Sequence, residues 1–238
     1  MFSRSAGGLI QTTGGISLIK NLYINNHTRN PKVKGKNQFV NNIIYNWRVG
    51  AYILGDSQSD SYANVTGNYF IAGPNTSSQP FTRGNTNFHI YATRNIYDSN
   101  RNGKLDGAEI PREKYTVVDW QTKPYDYPPV SELTPGEAFD FVLKNAGASL
   151  NRDATDLRLI NVLRSLGRSG EIVSKEPENF DDNQTAVIIG VKKDSDKDGI
   201  PDAWELENKL DPRDPKDAVL ISRNGYSTLE NYLNQLAK

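Results

Sequence analysis

Two acidic segments carry the clearest chemistry in this chain. Residues 194–205 read DSDKDGIPDAWE and residues 98–109 read DSNRNGKLDGAE. Both fit the twelve-residue calcium-loop pattern, in which alternate oxygen-bearing side chains converge on one point and a central glycine permits the sharp bend. In the later loop the candidate ligands are Asp194, Asp196, Asp198, the backbone carbonyl of Ile200, Asp202 and Glu205. Five carboxylates so close together repel one another unless a cation neutralises them. The earlier loop offers Asp98, Asn100, Asn102, the carbonyl of Lys104, Asp106 and Glu109. It carries less charge and predicts weaker binding; its plainer reading is an ordinary Asn/Asp/Gly surface turn. It follows a strand-like segment, IYATRNIY, so structural calcium is expected rather than a helix-flanked sensor.

The third feature is basic. Arg29, Lys32, Lys34 and Lys36 fall within eight residues of HTRNPKVKGK, and from Met1 to Gly55 the chain has seven basic residues and no Asp or Glu. The whole chain is formally neutral, so the remaining 183 residues sum to −7. A cationic strip of this kind would meet a polyanion.

Composition narrows the chemistry. There is no cysteine, which removes disulfides, thiol catalysis and zinc–thiolate sites. Two histidines, His27 and His89, argue against a multi-histidine metal site or a conventional triad. No apolar run approaches the roughly 18 residues of a membrane span. The start, MFSRSAGGLIQTTGG, lacks the apolar core of an export signal, so the expectation is either a cytoplasmic chain or a mature or truncated form of an exported one.

The elements that must position these residues show a repeat. ISLIKNLYI, QFVNNIIYN, ANVTGNYFI and IYATRNIYD each place a β-prone run before an Asn and two apolar or aromatic residues. The aligned asparagines are Asn21, Asn42, Asn68 and Asn95. Short strand-rich repeats predict a solenoid, here an all-β right-handed parallel β-helix in which stacked asparagines form a hydrogen-bonded ladder. The alternative is an antiparallel sandwich with Asn-rich turns. A proline-rich strap, WQTKPYDYPPVSELT, follows. TPGE then supplies a capping box for a helix with Ala138, Phe141, Val142 and Ala146 on its apolar face. A second helix is expected from Asp153 to Leu166, with Leu157, Ile160, Leu163 and Leu166 on one face and Gly167 as its cap, then a short strand TAVIIGV and a terminal amphipathic helix YSTLENYLNQL. The expected organisation is coils over 1–120, strap and helices over 121–193, and a calcium-loop segment over 194–238.

RNPKVK resembles the R-x-P-x-x-R element of pectate lyases in polysaccharide lyase family one. The surrounding NLYINNHTRNPKVKGKNQFVNNIIYNW, YILGDSQSDSYANVTGNYF and PFTRGN resemble the family's coils. EAFDFVLKNAGASLNRDATDLRLI, LDPRDPKDA and GYSTLENYLN resemble the tail of its bacterial members. The Asp-rich loop also resembles the calcium repeats of thrombospondin type-three and dockerin modules. The family resemblance implies a secreted or periplasmic, calcium-dependent β-elimination on polygalacturonate. Arg29 would be the base, Lys34 the substrate-binding cation in place of the family's second Arg, Lys32 and Lys36 supporting charge, and Pro31 a fixed point of the loop. Lys keeps the charge and loses the bidentate fork. Guanidinium titrates above about 12, so an alkaline optimum is implied. The family's catalytic calcium is held by acids before the Arg element, and this chain has none before Asp56. It therefore resembles the C-terminal portion of a lyase, lacking N-terminal coils, with weak or no activity alone and an open β-helix end prone to association. The competing classes are a non-catalytic acidic-polysaccharide-binding module and a nucleic-acid binder; the basic strip lies inside the repeat pattern rather than on a nucleic-acid fold, so no nucleic-acid or membrane partner is expected.

Overall fold

The computed structural model describes residues 5–150, 152–172 and 192–236. The chain divides into two units, Met1–Ala186 and Val187–Lys238.

The first unit is a parallel β-helix. Its strands come in order as β1 (Leu9–Ile19), β2 (Leu22–Ile24), β3 (Lys32–Val40), β4 (Ile43–Tyr45), β5 (Tyr52–Leu54), β6 (Ser61–Thr66), β7 (Tyr69–Ile71), β8 (Phe81–Thr82), β9 (Phe88–Thr93), β10 (Ile96–Asp98), β11 (Ala108–Glu109) and β12 (Asp119–Trp120). One sheet runs β12-β9-β6-β3, with β1 against β3 and β5-β8 continuing from the first half of β3; the other runs β11-β10-β7-β4-β2. Every named pairing is parallel except β10 with β11.

The asparagine repeat is the corner between the two sheets. Asn42 Nδ2 donates to Asn68 Oδ1 at 3.1 Å, Asn68 Nδ2 donates to Asn95 Oδ1 at 2.8 Å, and Asn21 Nδ2 donates to Asn42 Oδ1 at 2.9 Å. The residue before each ladder Asn has left-handed backbone: Lys20 (φ 56°), Asn41 (57°), Gly67 (64°) and Arg94 (54°). Single residues in that region turn a chain sharply, and glycine or asparagine accept it most readily. The column carries one amide per coil, and its buried polar groups are paired, which removes the usual penalty for burying them.

Spacing between successive ladder members is 21, 26 and 27 residues. Register locates the first increase. Lys32 and Val33 pair with Ile53 and Leu54, and Lys36 pairs with Tyr62. The extra residues of the later coil therefore sit in the loop between β5 and β6.

Alternation sorts β3 into two faces. Val33 and Phe39 point inward to join Ile44, Trp47, Tyr52, Leu54, Phe70, Phe81 and Phe88 in the interior, each of these at most 1% exposed. Burying each such aromatic stabilises the coil by roughly 1.5–3 kcal/mol before entropy is counted. Lys32, Lys34 and Lys36 take the outer face. Farther along that face, the strap closes over the sheet: Asn64 Nδ2 donates to the Tyr125 carbonyl at 2.9 Å and Gln38 Nε2 to the Pro128 carbonyl at 3.1 Å.

Helices α1 (Pro135–Asn145) and α2 (Ala154–Arg164) cover Ile43, Tyr45, Tyr69 and Ile71 of the second sheet. The capping box forms as expected, with Thr134 and Glu137 each bonding the other's backbone N–H. Two face assignments are corrected. Phe139, at 5% exposure, is buried where Phe141 was expected; Phe141 is 40% exposed and lies under the Lys20 ammonium at 4.7 Å. Leu157 is half exposed, whereas Leu166, though past the helix end with φ 45°, still packs against the same cluster as Leu163. Both misassignments come from counting apolar spacing without knowing which side the sheet occupies.

In the second unit, α3 (Asp202–Glu207) and α4 (Thr228–Leu236) flank a short 3₁₀ turn, Asp217–Val219. Ile200, Ala218 and Tyr232 form its core with Trp204 and Leu229. The expected strand TAVIIGV lies outside the described residues. Among the described residues no helix is long and apolar enough to cross a membrane.

Candidate functional site

The Arg element sits at the entry to β3. Arg29 has φ 58° and is exposed. Its backbone is held from both sides: its carbonyl accepts the Gly8 N–H at 2.8 Å, and Asn30 N–H donates to the Ala51 carbonyl at 2.8 Å. The Asn30 side chain, 1% exposed, donates to the Gly50 carbonyl at 3.0 Å and accepts from Asn26 at 2.9 Å. A Cβ on Gly7 would stand 2.7 Å from the Arg29 carbonyl, so only glycine allows the first coil so close. The turn is thus rigid, while the guanidinium forms no ion pair among the described residues.

The three lysines have different surroundings. Lys32 Nζ holds Asp56 Oδ2 at 2.9 Å, with Arg83 Nη1 3.6 Å from the same oxygen. The hydrogen bond from Lys32 is the main reason the Asp56 carboxyl sits below its usual range. Lys34 and Lys36 form no ion pair among the described residues. Lys34 lines a polar groove of about 630 Å³ with Gln11, Gly35, Asp56, Ser57, Gln58, Ser59 and Asp60. Lys36 lines a second groove of about 330 Å³ beside Gln38, Asp126 and Tyr127. The strip's three lysines therefore divide into one that is neutralised and two available to an anion. The carboxylates of the larger groove are Asp56, engaged by Lys32, and Asp60, 3.6 Å from His89 Nε2. They do not compose a cation site beside Arg29.

The earlier acidic loop closes on itself. Asn100 Nδ2 and Asn102 Nδ2 donate to the two oxygens of Asp106 at 2.7 and 2.9 Å, and those bonds hold its carboxyl below the usual range. Asp98, 2% exposed, accepts the Asn100 and Asp106 N–H groups, and burial raises its carboxyl. Lys104 N–H donates to Asn102 Oδ1 at 2.7 Å. Glu109 lies in β11, where its Oε1 accepts the Arg94 N–H at 2.8 Å. None of the loop's buried side-chain oxygens or nitrogens lacks a partner among the described residues, the partners lying both within the loop and outside it.

The later loop differs. Asp194, Asp196 and Asp198 bring oxygens within 4.8 Å of one another, and so do Asp198, Glu205 and Asp217. Backbone N–H groups of Lys197 and Gly199 orient Asp194, and Ile200 N–H orients Asp198. Asp196 Oδ2, Asp198 Oδ2, both oxygens of Glu205 and Asp217 Oδ1 are buried with no hydrogen-bond partner. Burial, then the charges of Asp196, Asp198, Asp217 and Asp202, push the Glu205 carboxyl up to about 7. Such a set of orphaned hard oxygens is what a divalent cation of the calcium type satisfies. Gly199, at φ 96°, makes the bend, and Ile200 turns its side chain into the core. Asp202 is placed differently from the other expected carboxylate ligands: it pairs with Lys193 at 2.8 Å and accepts from Ser195, with its N–H at 2.7 Å, and the Lys193 bond first, then Ser195, lowers its carboxyl to about 2. Asp217 was not legible beforehand, since it stands outside the twelve-residue pattern.

No family model matches the chain. Among curated proteins it is 46% identical over 243 residues to a probable pectate lyase C of Aspergillus flavus and of Neosartorya fischeri, and 44% identical to one of Emericella nidulans. Each alignment takes in 98% of this chain. The chain spans 55–56% of these relatives' own length. The sequence is thus homologous to probable pectate lyase C proteins of fungi.

Proposed function

We propose that this chain is a pectate lyase-related protein that binds polygalacturonate along β3, with Arg29 as the base of a β-elimination. The observation that carries this reading is the conjunction of 46% identity across 98% of the chain with an Arg29 turn held by its backbone at the entry to β3 and, farther along that strand, a Lys34 without an ion pair among the described residues. In the reaction a base removes the C5 proton of a uronate, a C4=C5 double bond forms, and the C4–O bond breaks, the leaving oxygen taking its proton from water. Arg29 accepts the C5 proton; Lys34 and Lys36 attract uronate carboxylates; Lys32, tied to Asp56, holds the strand rather than the substrate. Because the groove's own carboxylates form no cation site, turnover by this chain alone is expected to be weak.

A polysaccharide-binding module without catalysis is the second reading, and two lysines without an ion pair among the described residues, beside groove carboxylates that compose no cation site, favour it. The two separate in one experiment. The protein is incubated with polygalacturonate and calcium, and both retention on the polymer and ultraviolet absorbance of unsaturated products are measured. Arg29→Ala should abolish product and spare retention; Lys34→Ala should weaken retention. Turnover that survives Arg29→Ala removes the assigned base, and failure to bind the polymer removes both readings. Calcium at the later loop belongs to the same proposal as a structural ion of the second unit. Its relatives' type of activity makes a secreted location the corresponding expectation.

A further inference from the structure

The second unit's cation site draws on a residue that the loop motif does not contain. Asp198, Glu205 and Asp217 converge within 4.8 Å. Glu205 is fully buried, and neither of its oxygens meets a donor. Asp217 is 6% exposed; its Oδ2 accepts the Asp211 N–H at 3.1 Å, which fixes the carboxylate, and its Oδ1 is left unpaired. Carboxylates at such separations, shielded from water and without donors, need a positive charge among them. Asp202 cannot supply a comparable oxygen, because its two are committed to Ser195 and Lys193.

We propose that Asp217, rather than Asp202, completes a divalent-cation site with Asp194, Asp196, Asp198, Glu205 and the Ile200 carbonyl. The inference rests on the reading of residues 194–205 as a calcium loop. It adds a mechanical consequence. Asp217 opens the turn whose next residue, Ala218, packs with Ile200 and Tyr232. The cation therefore ties the loop to the segment that closes the core, so that ion binding and core closure are one event.

Calcium binding to the full chain is followed by calorimetry, and the thermal stability of the chelated protein is measured in parallel. The heat that Glu205→Gln removes marks the site. Asp217→Asn, which can still accept the Asp211 N–H, should weaken that component by about tenfold or more. It should leave the chelated protein as stable as the parent or more so, since one of several mutually repelling charges is gone. Asp202→Asn should change the affinity by less than about threefold. An Asp217→Asn affinity within about threefold of the parent, or a loss matched by destabilisation of the chelated form, overturns the assignment of Asp217 while Glu205→Gln still marks a site. If Glu205→Gln removes no heat, the calcium-loop reading itself fails.

Discussion

Lys34 and Glu205 bear the sharpest consequences of single side chains. At Lys34 a point charge stands where the resembling element has a guanidinium. A planar fork grips a carboxylate through two parallel hydrogen bonds, and an ammonium does not. Lys34→Arg should therefore strengthen polygalacturonate retention by roughly threefold to tenfold at fixed salt, read from binding isotherms. Weaker retention would show that the groove excludes the larger head group. Glu205 gives a pH dependence of definite sign. Without a cation its folded value is about 7 against an ordinary 4.5, so the folded state binds more protons. The stability this group contributes is full below 4.5 and is lost as pH rises through about 7. Melting of chelated protein should fall across that window, and Glu205→Gln should flatten the slope. Calcium should reverse it, because the ion needs the carboxylate. A chelated parent that gains stability with pH relative to Glu205→Gln would contradict this.

Among the elements, the asparagine corner was legible and its backbone was not. A recurring Asn before two apolar residues is visible in one dimension, because each coil repeats the same local need: an amide to bridge to the next coil. The left-handed residues before it, Lys20, Asn41, Gly67 and Arg94, share no side-chain type, so nothing in their letters announces a shared conformation. The second corner shows the same limit: Asn46 Nδ2 donates to Asn25 Oδ1 at 2.8 Å and Asn75 N–H donates to Asn46 Oδ1 at 2.8 Å, at spacings of 21 and 29 residues, of which the first corner shares only the 21. Helix faces were half legible, since α1 was placed by its cap but Phe139 and Phe141 could be told apart only by the sheet beneath. Asp217 was hidden because a motif counts along the chain, while a cation collects oxygens in space. The ladder also gives a measurable cost. Asn68 accepts from Asn42 and donates to Asn95 and to the Phe39 carbonyl, fully buried. Asn68→Ala strands these partners and should cost about 2–4 kcal/mol in urea unfolding. A loss under about 1 kcal/mol would mean water replaces the amide.

For the first unit as a whole, a solenoid spreads its stability over neighbour contacts, so its outermost coil is supported from one side. Strand β1 pairs with β3, and among the described residues no strand covers its other edge. Leu9 on that strand is 49% exposed, and a pocket of about 420 Å³ opens beside Leu22, Tyr23 and Ile24. An uncovered parallel edge is a template for another strand. The protein should therefore show concentration-dependent association in sedimentation, and Leu9→Lys should reduce it. A monomer at every concentration tested would indicate that the bulge between Thr12 and Ile16 already blunts the edge.

The uneven coil lengths bear on how such a scaffold changes. The increase from 21 to 26 residues falls between Leu54 and Ser61, on the rim that carries Asp56, Ser57, Gln58, Ser59 and Asp60 beside Lys34. Corner and core impose a fixed register, so growth is admitted only where the chain leaves the stack, and there it alters the wall of the groove. Evolution, or a designer, can lengthen that wall to suit another polymer while the amide column stays as it is.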